Sequence, residues 1–275
     1  MLSARLRSPL ALIAAIGLFT TDTLAHVHVE IIYREGQLGL VYYDFDYGES
    51  DPATVTIPVA LPAARPVPNL PAYTNLLGEA GSTVWILPQA GDPELVWLGI
   101  GSEGLRSTDF AGGLRLRLES VDGPGHFALF FTDPVGMPQP VMNLRDGVSE
   151  ADALSVPLGS HLHCNWAFSA PGRYRVRFVA SGTLRAGNTP IVSAPTEFVF
   201  EVVGPPSPVL GLRRGPANTL ELELEAHPGL NYRLERTDTF ADWSHFTNQQ
   251  AVAPVTVFRI EVPSDRRQFY RARLR

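Results

Sequence analysis

The residues of this chain best suited to chemistry are its histidines. Seven occur, and five of them, His26, His28, His126, His161 and His163, lie in the first 163 positions. Neutral imidazole is the commonest protein ligand for transition metals and suits zinc, copper, iron and nickel. His161 and His163 are two residues apart in an alternating stretch, so a strand would place both rings on one face, where they can converge on one ion. His26 and His28 repeat that spacing, with Glu30 on the same face. Three or four such ligands suffice for a zinc site, either closed or with one open position. All five are therefore candidate metal ligands, with zinc or copper as the expected ion. The alternative is a metal-free polar sheet face, as in a structural or adhesive surface module.

His26 carries a second possibility. Arg5 and Arg7 precede an apolar run over residues 10–19 that is too short to span a membrane, and Thr23-Leu24-Ala25 has the small-x-small pattern of a secretory cleavage site. Residues 1–25 are therefore expected to be a signal peptide. Cleavage after Ala25 would make His26 the first residue of the mature protein. Its α-amine and ring could then chelate copper together, with a second histidine completing a histidine brace.

Other chemistry is thinly represented. The single cysteine, Cys164, lies between His163 and Asn165, but period two turns it to the apolar face with Leu162, Trp166 and Phe168, so it reads as core. Asp44, Asp46, Glu49 and Asp51 form an acidic run without EF-hand spacing, which reads as a solvated loop. There is no G-x-S-x-G elbow, no H-E-x-x-H and no Walker loop, so no catalytic residue is assigned and no enzymatic activity is expected. His227 and His245 stand alone. Trp85, Trp97 and Trp166 read as core residues.

Short alternating segments must position these residues. Strands are expected over residues 26–33, 38–43, 54–60, 83–87, 95–100, 114–121, 126–132, 154–157, 161–168, 173–180 and 196–203. Pro171-Gly172 joins the last segment of the histidine stretch to Tyr174, Val176 and Phe178, a turn read as the centre of a hairpin. The proline-bearing segment up to residue 77 reads as an ordered loop. Gly204-Pro-Pro-Ser-Pro208 cannot continue a ladder and marks a linker. Beyond it, residues 219–225, 231–236, 255–262 and 268–274 read as further strands. The expectation is an all-β chain: an immunoglobulin-like β-sandwich over residues 26–203, the linker at 204–208, and a smaller β domain over 209–275.

The central stretch, His161-x-His163-x-Asn165-Trp166-Ala167-Phe168-x-x-Pro171-Gly172-x-Tyr174, resembles the signature of the choice-of-anchor M family, also described as ABC-transporter-associated surface-anchored repeat domains. His26-Val27 and Gly123-Pro124-Gly125-His126-Phe127 fit the same family in order, and the resemblance covers roughly residues 26–203. It implies a secreted, surface-displayed β domain whose partners are components of a metal ABC uptake system or other cell-surface proteins. Tyr232-Arg-Leu-Glu, Trp243 and Phe269-Tyr-Arg resemble a small C-terminal β module of secreted bacterial proteins, which implies display or sorting.

Composition is compatible with this. A net charge of −6 without a basic cluster argues against nucleic acid and anionic membrane surfaces as partners. With 24 Pro and 24 Gly the chain suits many short strands and turns. A single cysteine excludes an intrachain disulfide, so stability must come from the core. No transmembrane segment is expected in the mature chain.

Overall fold

The computed structural model describes residues 25–217, 219–261 and 267–275. Of the expected signal peptide only Ala25 falls among them. The chain is all-β, as its alternation implies. The first strands are β1 (His26–Arg34), β2 (Gln37–Asp44), β3 (Gly48–Ser50), β4 (Thr56–Val59) and β5 (Ala64–Pro66), followed by helix α1 (Pro71–Leu77). Next come β6 (Thr83–Leu87), β7 (Trp97–Gly101), β8 (Leu114–Asp122), β9 (Phe127–Thr132), β10 (Pro138–Asn143) and β11 (Ala153–Val156). The histidine stretch and its sequel form β12 (His161–His163), β13 (Asn165–Phe168), β14 (Gly172–Leu184), β15 (Thr189–Val192) and β16 (Thr196–Val202). Past the linker lie β17 (Val209–Arg214), β18 (Thr219–Glu225), β19 (Asn231–Thr237), β20 (Ser244–Gln250), β21 (Val255–Glu261) and β22 (Phe269–Leu274).

Residues 26–203 are divided among three hydrogen-bonded sheets. Their strand orders are β12-β7-β1-β2-β3, β10-β9-β13-β6-β5 and β11-β8-β14-β16-β4, with β15 added to β14. Val27, Val29, Leu98, Ile100, Trp85, Trp166, Phe127, Phe168, Tyr174, Phe178 and Phe200 pack into one core shared by all three. β1 and β7 each point one alternating apolar set into that core: Val27, Val29 and Ile31 from β1, Leu98 and Ile100 from β7. The opposite set is His26, His28 and Glu30 on β1 and Trp97, Gly99 and Gly101 on β7.

Two expectations about the central stretch are corrected. The segment 161–168 is not one strand. β12 pairs with β7 in the first sheet, whereas β13 pairs with β6 and β9 in the second. The chain changes sheets at Cys164, whose side chain is fully buried in the core, as its apolar-face position implied. Asn165 therefore does not join the exposed face with His161 and His163. It is buried, accepting from the Gln89 N–H at 3.0 Å and donating to Thr132 Oγ1 at 2.9 Å. Nor do β13 and β14 form a hairpin across Pro171-Gly172: β14 pairs with β8, β15 and β16, so the turn carries the chain between sheets.

Other differences have simple causes. The segment read as a loop before residue 78 contains β5 and α1. Proline in the first turn of α1 costs nothing there because that N–H has no helical partner. Leu76 and Leu77 cover Val84, Ile86, Ala128, Phe130 and Ala167 on the outer face of the second sheet, so these strands are buried on both sides. β10, which includes Pro138 and Pro140, is an edge strand, where proline is tolerated.

Residues 204–208 carry no strand. Beyond them, the described strands form two three-stranded sheets, β17-β18-β21 and β20-β19-β22. They meet the first unit where Asn231 Nδ2 donates to the Gly81 carbonyl at 3.0 Å and the Thr83 N–H donates to the Arg275 carbonyl at 2.5 Å. Among the described residues no helix is long and apolar enough to cross a membrane.

Candidate metal centre

The register of three strands builds the site. β7 lies between β1, to which it runs parallel, and β12, to which it runs antiparallel. Gly99 stands between His28 on one side and His163 on the other, and Gly101 between Glu30 and His161. His26 is beside Trp97. Side chains opposite one another share a sheet face, so all these groups project to the face away from the core. Strands two apart in a sheet are separated by about 9–10 Å. Imidazoles reaching inward from β1 and β12 meet only if the strand between them has no side chain there, and the two glycines supply that space. A Cβ on Gly99 would stand 2.6 Å from His28 Cδ2, 2.8 Å from its Nε2 and 3.0 Å from His163 Cε1. A Cβ on Gly101 would overlap the Glu30 carboxylate.

Across this gap three nitrogens converge. His26 Nε2 is 3.1 Å from His163 Nε2 and 3.1 Å from His28 Nε2. One ligand nitrogen from each of the three residues can be chosen so that all lie within 4.8 Å of one another. Ligands held at a zinc–nitrogen distance of about 2.05 Å are about 2.9 Å apart at right angles and about 3.3 Å apart at the tetrahedral angle, a span that includes the observed 3.1 Å. Hydrogen bonding satisfies the cluster poorly, because each neutral imidazole nitrogen is either one donor or one acceptor. His26 Nε2 therefore closes one well-directed bond while facing two neighbours. A cation takes all three lone pairs together.

The surroundings suit that role. His28 is fully buried. Its Nδ1 faces Glu30 Oε2 at 3.5 Å, and neither buried atom has a hydrogen-bond partner. Glu30 Oε1 accepts from the Glu103 N–H at 2.8 Å, and Glu103 Oε1 lies 2.8 Å from His161 Nδ1. His161 is thus backed by a hydrogen-bonded carboxylate, an arrangement that orients the ring and strengthens the distal nitrogen as a donor, and a second carboxylate faces His28 at longer range. The His26 ring is stacked between Phe45 and Trp97, at 4.2 and 4.6 Å between centroids, and Trp97 also stacks on His163 at 3.9 Å. Burial, reinforced by the rings of His26, His28 and His161, pushes His163 down to about 4. Burial and the rings of His28 and His161 lower His26 too, with Glu103 opposing them. Both rings are thus held in the neutral form that binds metal.

The structure brings together four of the five candidate histidines. His26, His28 and His163 form the converging set, and His161 stands beside them with its ring centroid 5.0 Å from that of His28 and 5.5 Å from that of His163. His126 is placed elsewhere. It is exposed, its N–H donates to Ser169 Oγ and its carbonyl accepts from the Ser169 N–H, at the far end of β13 in the second sheet. Its spacing from other histidines carried no information about the sheet it joins. The convergence is through Nε2 of His26, whereas a histidine brace uses Nδ1 together with the α-amine, so this arrangement does not favour the brace.

The acidic run at 44–51 is occupied by local structure. Asp44 Oδ1 accepts from the N–H groups of Asp46 and Tyr47, Asp51 caps a 3₁₀ turn, and Glu49 pairs with Arg34. Trp85 and Trp166 are core residues, but Trp97 is partly exposed and forms a wall of the site. Gly99, Gly101, Glu103, Phe45 and Trp97 were not singled out for the site from the sequence. The alternation Leu98-Gly99-Ile100-Gly101 is the signal that could have found it, since glycine repeated on one face of a strand marks a close approach. No protein-family model matches the chain, and no curated protein matches it in sequence.

Proposed function

We propose that this protein binds a transition-metal ion, zinc or copper, through His26, His28 and His163, and that it acts as a secreted, surface-displayed protein presenting or sequestering that metal for an ABC-type uptake system. The observation that carries the metal reading is the convergence of three imidazole nitrogens over Gly99, 3.1 Å apart in two pairs. The glycine gap, the carboxylate behind His28 and the aromatic walls have no role in a merely polar sheet face, and all three suit an ion. Export and the transporter connection rest on the residue pattern at the N-terminus and on the family resemblance of the His161–Tyr174 stretch.

The test is metal analysis of the chain beginning at His26 after incubation with Zn(II) or Cu(II) and exhaustive dialysis, beside a His28→Ala/His163→Ala variant. Near one equivalent retained by the parent and lost in the variant is the expected result. A metal-free parent would leave the structural or adhesive module standing in its place.

A further inference from the structure

His161 differs from the other three histidines of the site in every respect that bears on exchange. His28 is fully buried, His26 is held between two aromatic rings, and His163 is stacked on Trp97. His161 lies on β12, the edge strand of its sheet, with its side chain 39% exposed. Its ring centroid is 5.0, 5.5 and 6.0 Å from those of His28, His163 and His26, against 4.9, 5.0 and 5.6 Å among the other three. The ring is therefore near the range needed to surround a common ion, yet it is not one of the converging set. What holds it is Glu103, at 2.8 Å from Nδ1, and among the described residues Nε2 has no hydrogen-bond partner.

Resting on the metal reading above, we infer that His161 is the exchangeable fourth ligand of the site and that Glu103 positions it. Three enclosed imidazoles retain the ion. The exposed one closes the coordination shell when its ring turns inward about the Glu103 contact, and it detaches when water or an incoming metal acceptor takes the position. No electrons are transferred: one nitrogen lone pair leaves the ion and one donor from water or the acceptor replaces it. The Glu103 N–H also donates to Glu30, which faces His28, so one loop residue joins the supports of the fixed and the exchangeable side. Transfer to a partner would then occur at the β12 edge.

The experiment loads the full chain and its His161→Ala and Glu103→Ala variants with Co(II), as a probe of coordination, and with Zn(II), and follows release to a chromophoric chelator by stopped flow. The parent should show the strong visible absorption of four-coordinate Co(II). His161→Ala should bind with weaker absorption and release Zn(II) more than about 100-fold faster, beyond the roughly 10- to 100-fold that loss of a ligand's supporting carboxylate costs. Glu103→Ala should shift both in the same direction by less, and because it keeps the ring it carries the test if His161→Ala folds poorly. An unchanged spectrum and release rate in both variants would overturn the fourth-ligand assignment while leaving the three-histidine site intact. Failure of the parent to retain either ion would overturn the metal reading itself.

Discussion

At the scale of single residues, space matters as much as ligands. Gly99→Ala adds one methyl group among the His28 and His163 rings, within 3.0 Å of three of their atoms. His28 is enclosed and cannot retreat without disturbing Glu30 or the core side of β1. We expect zinc affinity to fall at least tenfold and the metal-free protein to lose about 1–3 kcal/mol, the usual cost of overpacking, read by isothermal titration and urea unfolding. Gly104→Ala, with nothing within 4 Å of its Cβ position, is the control and should change neither. An unaffected Gly99→Ala would show that the rings do not need the gap.

The same residues set a pH dependence. The His163 ring titrates at about 4 in the folded chain against an ordinary 6.5 when unfolded, because burial disfavours its charged form. Between those values the unfolded chain binds more protons, so stability falls as pH drops from about 6.5 to about 4 and levels off below. The contribution of His163 is at most about 3 kcal/mol and smaller once screening by water at its partly exposed edge is included. His26 acts in the same direction. Urea midpoints of the metal-free protein between pH 7 and 4 should decline, and His163→Phe should flatten that decline. A profile independent of pH would mean the rings are better solvated than the structure shows.

At the scale of elements, local alternation was legible and long-range assignment was not. Thr219–Glu225 occupies the residues its pattern implies, because apolar residues at period two have one way to face a core. The pairing of His26 and His28 with His163 was not legible, since it depends on β7 lying between β1 and β12, and strand order is not carried by any one strand's alternation. Cys164 shows the limit most clearly. Its burial followed from its position between two polar neighbours, but alternation continued through it without a sign that the chain leaves one sheet for another there. That change of sheet is what separates His163, which faces the cluster, from Asn165, which is buried and hydrogen-bonded to Gln89 and Thr132. The helix α1 is hidden for the opposite reason: the prolines before residue 77 argue for a loop, whereas the first turn of a helix accommodates one, here Pro71.

At the scale of the molecule, the metal site joins β1, where the described chain begins, to β12, which follows it by more than 130 residues and pairs with the same central strand. An ion bound there closes a long loop and stabilises only the folded arrangement, because the unfolded chain does not hold His26, His28 and His163 together. With free zinc at 100 times the dissociation constant, linkage gives about 2.7 kcal/mol. For a unit of this size that corresponds to a rise of about 5–10 °C in the melting temperature. Calorimetry should show the rise on adding zinc, its reversal by EDTA, and its absence in His28→Ala/His163→Ala. The second unit meets the first at Gly81 and Thr83, on the segment leading into β6 in another sheet. Any separate transition of the strands beyond residue 208 should therefore keep its temperature when zinc is added. If both transitions moved together, metal binding would be coupled to the contact between the units.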